Sequence, residues 1–163
     1  MTKEELLKMS AGELTDLGIC PTCFNRENGG AVFGDMDDKL VYEDADIECF
    51  FVGKPRAAGH MCISSVPHYQ DMSEAPDALN EKIVRFAKRL MTILKEVYSC
   101  ERVYLCTMCD GPANHYHVQL IPRYADEKRG SGNFVKPRGA YLFDKEKFEA
   151  VRRGILNTFP SHS

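Results

Sequence analysis

The chain has 163 residues, 44% of them hydrophobic, and a formal net charge of −3. That is enough for one domain with a buried core, and the mild acidity excludes an overall field that gathers nucleic acid or anionic membrane. The first residues, Met1-Thr2-Lys3-Glu4-Glu5, lack the apolar core of a secretory signal, and no run is long enough to span a bilayer; a cytoplasmic location is expected, with the seven cysteines free or metal-bound rather than disulfide-bonded.

Residues 3–17 read as a short helix with Leu6, Leu7, Leu14 and Leu17 between acids, stopped at Gly18. Ile19-Cys20-Pro21-Thr22-Cys23 follows. Two cysteines separated by two residues in a Pro-bearing turn can aim both thiolates at one ion, or act as a redox pair. Asn28-Gly29-Gly30 is a turn. Residues 40–42 and 47–52 read as strands joined through Asp44-Ala45-Asp46. Residues 53–59, from Gly53 to Gly59, form a loop into a strand over 60–66, closed by Pro67-His68-Tyr69. Ser73 marks a helix start. Leu79, Ile83, Phe86, Leu90, Leu94 and Val97 then recur at steps of four and three, which predicts a helix over 78–98 with one apolar face for a sheet.

Residues 102–108 read as a strand, turned by Asp110-Gly111-Pro112 into Asn114-His115-Tyr116-His117-Val118-Gln119-Leu120. With a strand's period of two, His115, His117 and Gln119 share one face, and Tyr116, Val118 and Leu120 share the apolar one. Two imidazoles beside an amide can ligate metal, attack an electrophile or carry protons near neutral pH. Residues 124–140 are charged and Gly-containing, a loop or flap. Its basic residues (Lys128, Arg129, Lys136 and Arg138) and the neighbouring Arg123 read as a solvated loop rather than a phosphate site. A helix over 144–156 closes a single α+β domain, a mostly antiparallel sheet with one long helix across it and short terminal helices.

In the order Gly59-His60, Val66-Pro67-His68, His115-x-His117-x-Gln119 and Ile121-Pro122-Arg123, residues 19–125 resemble the histidine triad (HIT) superfamily. Gln119 stands where the usual triad has a third histidine. That is similar to the branch of galactose-1-phosphate uridylyltransferase and the diadenosine-tetraphosphate phosphorylases. The resemblance implies a homodimeric, nucleotide-binding domain acting at the α-phosphorus of a nucleotide such as a dinucleoside polyphosphate. It implies His117 as nucleophile, Gln119 as the group that hydrogen-bonds the phosphate, and a structural zinc held by Cys20, Cys23, His68 and His115. No stable nucleic-acid or membrane partner is expected.

A neutral imidazole attacks phosphorus and then leaves it readily, so His117 can split one displacement into two through a nucleotidyl-histidine. Glutamine cannot protonate a leaving group. The substrate then carries a good one, such as a polyphosphate, or His60 supplies the proton. A backbone carbonyl is expected to fix the His117 tautomer. Asn114, Lys54 and Arg123 are candidate substrate contacts. A rival four-cysteine site, from Cys106 and Cys109 with Cys20 and Cys23, is disfavoured because residues three apart in a strand face opposite ways; Cys106 and Cys109 read as buried thiols. Val52 stands where many family members carry an acid or Asn for the ribose, and residues 110–114 form a short loop lacking the Gly-Gln-Ser/Thr donors of common hydrolase members. The competing reading is a nucleotide-binding or interaction module that kept the fold without the chemistry.

Overall fold

A computed structural model describes residues 1–34, 36–130, 136 and 143–160. The elements are α1 (Lys3–Leu6), α2 (Ala11–Asp16), α3 (Pro21–Glu27), β1 (Leu40–Glu43), β2 (Ile47–Phe51), β3 (Met61–Ser65), α4 (Asp77–Tyr98), β4 (Arg102–Cys106), β5 (His117–Arg123) and α5 (Lys145–Leu156). The five strands form one sheet in the order β1-β2-β3-β5-β4, with every neighbouring pair antiparallel. The expected α+β architecture is present.

The long helix follows its sequence pattern. Leu79, Ile83, Phe86, Ala87, Leu90, Ile93 and Leu94 of α4 are buried. They pack with Ile47 and Cys49 of β2, Met61 and Ile63 of β3, and Val118 and Leu120 of β5, together with Tyr116. Each large side chain so buried contributes about 1.5–3 kcal/mol relative to exposure. On α5, Phe148, Val151 and Ile155 cover the same core. One sheet face is thereby closed, and the alternate residues of β3 and β5 are left for the other.

Four local expectations need correction. The helix over 3–17 is two helices, because Thr2 and Ser10 each start one through a reciprocal capping box with Glu5 and Glu13. The Cys20–Cys23 segment is a helix start rather than a turn. Cys20 is the N-cap and Pro21 the first helical residue, where proline's missing N–H costs nothing. The long helix begins at Asp77 after Pro76, while the Ser73 hydroxyl bonds Asp71 at 2.6 Å. The strand over 102–108 stops at Cys106, and β5 proper begins at His117. His115 and Tyr116 are nonetheless held in line with it, Tyr116 N–H donating to Tyr69 O at 2.7 Å and Ser65 N–H to Tyr116 O at 3.1 Å. Most of the expected flap, 131–135 and 137–140, lies outside the described residues. No helix of the described residues is long and apolar enough to cross a membrane.

Candidate metal cluster and catalytic strand

Helix α3 exists where it does because its first turn is capped by a thiol. Cys20 Sγ accepts from Cys23 N–H at 3.5 Å, and residues three apart on a helix share a side. Both thiols therefore face one point. His115 reaches the same point from two residues before β5, with Cys20 Sγ and Cys23 Sγ each 3.4 Å from its Nδ1. From the segment after β3, His68 Nδ1 lies 3.4 Å from Cys23 Sγ and 3.3 Å from His115 Nδ1. The edges of a tetrahedron built on usual zinc–nitrogen and zinc–sulfur bonds are about 3.3–3.8 Å, so the separations fit that donor set.

The state of His115 agrees with ligation. His115 Nε2–H donates to Ser65 O at 2.8 Å, which leaves the lone pair on Nδ1 toward the cluster, the arrangement that orients a ligating imidazole. Burial pushes the His115 imidazole down to about 4, so it is neutral at pH 7. Burial and the adjacent Cys20 push the Cys23 thiol up to about 11, and a dication would reverse that by replacing the proton. Among the described residues, these four are the set that could hold an ion. Cys106 and Cys109 do not join them. Both are half-buried rather than buried, a further correction to the sequence reading.

Beside the cluster runs a directed chain of hydrogen bonds. His117 Nδ1–H donates to His115 O at 2.8 Å, the expected backbone carbonyl, and so presents Nε2 with its lone pair. The Gln119 amide nitrogen lies 3.4 Å from that Nε2. Gln119 Oε1 accepts from His60 Nε2–H at 2.9 Å and from Arg56 Nη1 at 2.5 Å. His60 Nδ1 accepts in turn from the Arg56 backbone N–H at 3.0 Å. Strand register makes this possible: Gln119 pairs with Cys62 of β3 and His117 with Ser64, two and four residues beyond His60.

His60, His117 and Gln119 are thus brought together, and His68 and His115 join Cys20 and Cys23. Two of the other expected substrate contacts are engaged with other partners. Asn114 Nδ2 donates to Gln70 O at 2.5 Å. Arg123 is buried, ion-paired with Glu101, and donates to Glu127 O at 2.7 Å. Lys54 is exposed on the loop before His60. Sequence reasoning missed Arg56. Its only signal was a cation four residues before His60 in a glycine-bounded loop. A cavity of about 390 Å³ has His60, Val52, Phe51, Tyr98, Lys39 and Lys147 among its walls, but neither His117 nor Gln119.

A HIT domain family model matches residues 34–126. The chain belongs to the HIT family. An uncharacterized HIT-like protein of Methanocaldococcus jannaschii is 30% identical over 111 residues, covering 63% of this chain and 79% of its own. Among solved HIT structures, a zinc-bound histidine triad family protein from Mycobacterium smegmatis has a TM-score of 0.59 at 15% identity, over 73% of this chain and 84% of that one. The diadenosine triphosphate hydrolase of Plasmodium falciparum has a TM-score of 0.57 at 13% identity, over 77% and 80% respectively. At these identities the likeness is one of fold. Within the HIT frame the described His-x-His-x-Gln strand lies inside the matched residues, whereas Cys20 and Cys23 lie before them.

Proposed function

We propose that this HIT protein is a nucleotide hydrolase or nucleotidyltransferase acting at the α-phosphorus of a dinucleoside polyphosphate or similar phosphoanhydride, through a covalent nucleotidyl-His117. The observation that carries it is the bond from His117 Nδ1–H to His115 O, which fixes the tautomer and leaves Nε2 as nucleophile beside the Gln119 amide. In the first step the Nε2 lone pair forms a bond to phosphorus while the phosphorus–oxygen bond to the leaving group breaks, its electron pair departing on oxygen. The Nδ1–H bond supports the charge that develops on the ring, and the Gln119 N–H end faces the transferred group. In the second step water or an acceptor oxygen attacks phosphorus. The phosphorus–nitrogen pair returns to the ring, and the attacker's proton passes to solvent.

His60 has one role fewer than the sequence allowed. Both its ring nitrogens are engaged within the protein, and it is 1% exposed, so it orients Gln119 instead of protonating a leaving group. That favours a leaving group that departs unprotonated, a phosphate or polyphosphate anion, as in the uridylyltransferase and phosphorylase branch that Gln119 resembles. Lys54, exposed on the adjacent loop, remains a candidate for its charge, with Asn114 and Arg123 better explained by their internal bonds. Cys20, Cys23, His68 and His115 would hold a structural zinc that closes all four positions to substrate and braces the strand bearing His117. A homodimer and a cytoplasmic location belong to the same reading, with the edge strand β4 as the place where a second copy could extend the sheet.

The test is His117→Gly. It should abolish turnover of a dinucleoside polyphosphate and the nucleotidyl adduct seen by intact mass, while melting stays near that of the parent. Retained turnover ends the mechanism. Val52 at the ribose position supports a second reading, a nucleotide-binding module without chemistry; tight binding of a nucleoside monophosphate with no adduct under any substrate would select it.

A further inference from the structure

We infer that Arg56 is a positioning residue of this site: with the ring of His60 it fixes the side-chain amide of Gln119 so that the N–H end, and not the carbonyl, faces His117 Nε2. The inference rests on the nucleotidyl-His117 reading for its kinetic consequence and on geometry alone for the rest.

A glutamine amide has a donor end and an acceptor end of nearly the same shape, and only its partners decide which way round it sits. Here the acceptor end is claimed twice. Arg56 Nη1 donates to Gln119 Oε1 at 2.5 Å and His60 Nε2 at 2.9 Å. His60 can donate from Nε2 because its Nδ1 accepts the Arg56 main-chain N–H at 3.0 Å. Arg56 therefore acts through both of its parts, the backbone setting the tautomer of His60 and the guanidinium adding a charge-assisted donor of its own. A reversed amide would set its NH₂ against two donors and turn its carbonyl oxygen toward the place where phosphoryl oxygens must lie. Both consequences oppose transfer.

The loop is built to hold that arginine still. Ala57 is fully buried, His60 N–H donates to Ala57 O at 3.1 Å, and Tyr124 Oη donates to Ala58 O at 2.8 Å. The half-buried Arg56 thus stands on a segment tied to the core and to the chain beyond β5. A glutamine in place of a third histidine needs such an anchor, since an amide lacks the fixed ring geometry of imidazole.

The test compares Arg56→Ala, Arg56→Lys, Gln119→Ala and the Arg56→Ala/Gln119→Ala pair on a dinucleoside polyphosphate. Arg56→Ala should lower kcat about 10- to 100-fold with KM within about threefold. Millimolar guanidinium should restore part of it, and Arg56→Lys should retain part. In the Gln119→Ala background, loss of Arg56 should add less than about threefold; a full multiplicative loss, or a change in KM alone, overturns the assignment. A substrate-free readout separates this from failure of the enzymatic reading. In ¹H–¹⁵N spectra the Gln119 side-chain NH₂ pair should stand apart from exposed glutamines in the parent and in Arg56→Lys, and move to their position in Arg56→Ala. An unmoved pair in a folded Arg56→Ala protein overturns the inference whether or not any nucleotide is turned over.

Discussion

Stripping zinc from the proposed Cys20–Cys23–His68–His115 site should lower stability by about 3–4 kcal/mol. The magnitude follows from how much chain the cluster closes. Cys20 and His115 are 95 residues apart in sequence, and a cross-link closing a loop of that length restricts the unfolded chain by about 4.7 kcal/mol at 25 °C in the chain-entropy account. Part of the closure survives without metal. Arg26 of α3 donates to Val66 O at 2.8 Å and to Glu48 at 2.9 Å, so the helix stays loosely docked and the loss is reduced by about 1 kcal/mol. For a chain of this size each kcal/mol moves the melting temperature by about 2–4 °C, which gives a drop on the order of 10 °C. The assay is calorimetric melting of the purified protein before chelation, after dialysis against a chelator, and after zinc is restored, with bound metal measured in each sample and Cys20→Ser/Cys23→Ser as the form that cannot reload. If metal content falls from one equivalent to none while melting stays within about 2 °C, the cluster does not brace the fold and the reasoning is wrong.

Tyr116→Phe should be neutral to stabilising, by up to about 2 kcal/mol, because the hydroxyl of this fully buried side chain has no hydrogen-bond partner among the described residues; a clear loss in urea unfolding would contradict that. Gly59→Ala should destabilise by about 1–3 kcal/mol and depress turnover, since Gly59 has φ +78° and an added Cβ would sit 3.1 Å from the Tyr98 ring, one residue before His60; parental stability would refute it. Burial pushes the Asp44 carboxyl up, but hydrogen bonds from Lys82, Tyr42 and the N–H groups of Asp46 and Ile47 outweigh it and hold the group at about 2. Its folded value lies below the unfolded one of about 3.9, so the stabilisation is present above roughly pH 4 and lost as pH falls toward 2. Discounted for solvent screening it amounts to about 1 kcal/mol. The stability gap between the parent and Asp44→Asn should narrow over that window, and a constant gap would count against the assignment.

The architecture was legible wherever one periodicity ran long enough. The α4 stripe from Leu79 to Leu94 and the alternation from His115 to Leu120 each repeat over several turns or pairs, and both sit as their spacing implied. What failed was local. Ser10 starts a second helix through a capping box with Glu13, a signal present in the sequence but overridden by the leucine pattern on either side. Cys20 caps α3 as a thiol, which composition rules for helix starts do not favour. At the site, the residues sharing one strand were readable from period two, and the metal-capable set through resemblance. Arg56 was not, because a loop has no period and its bonds to Gln119 and His60 cross 63 residues and 4 residues of chain respectively. Lys54, two residues earlier on the same loop, carries the same charge in sequence, and burial alone separates the two: Lys54 is exposed and Arg56 half-buried.

Cys20 serves twice, as the cap that starts a helix and as a donor to the cluster. Any reagent that consumes this sulfur therefore removes an end-stop and one of the four clustered donor groups in one stroke. A copy damaged there would fray over the first turn of α3 and break the cluster together, which makes cleavage by a protease near Thr22 a sensitive gauge of the molecule's chemical history.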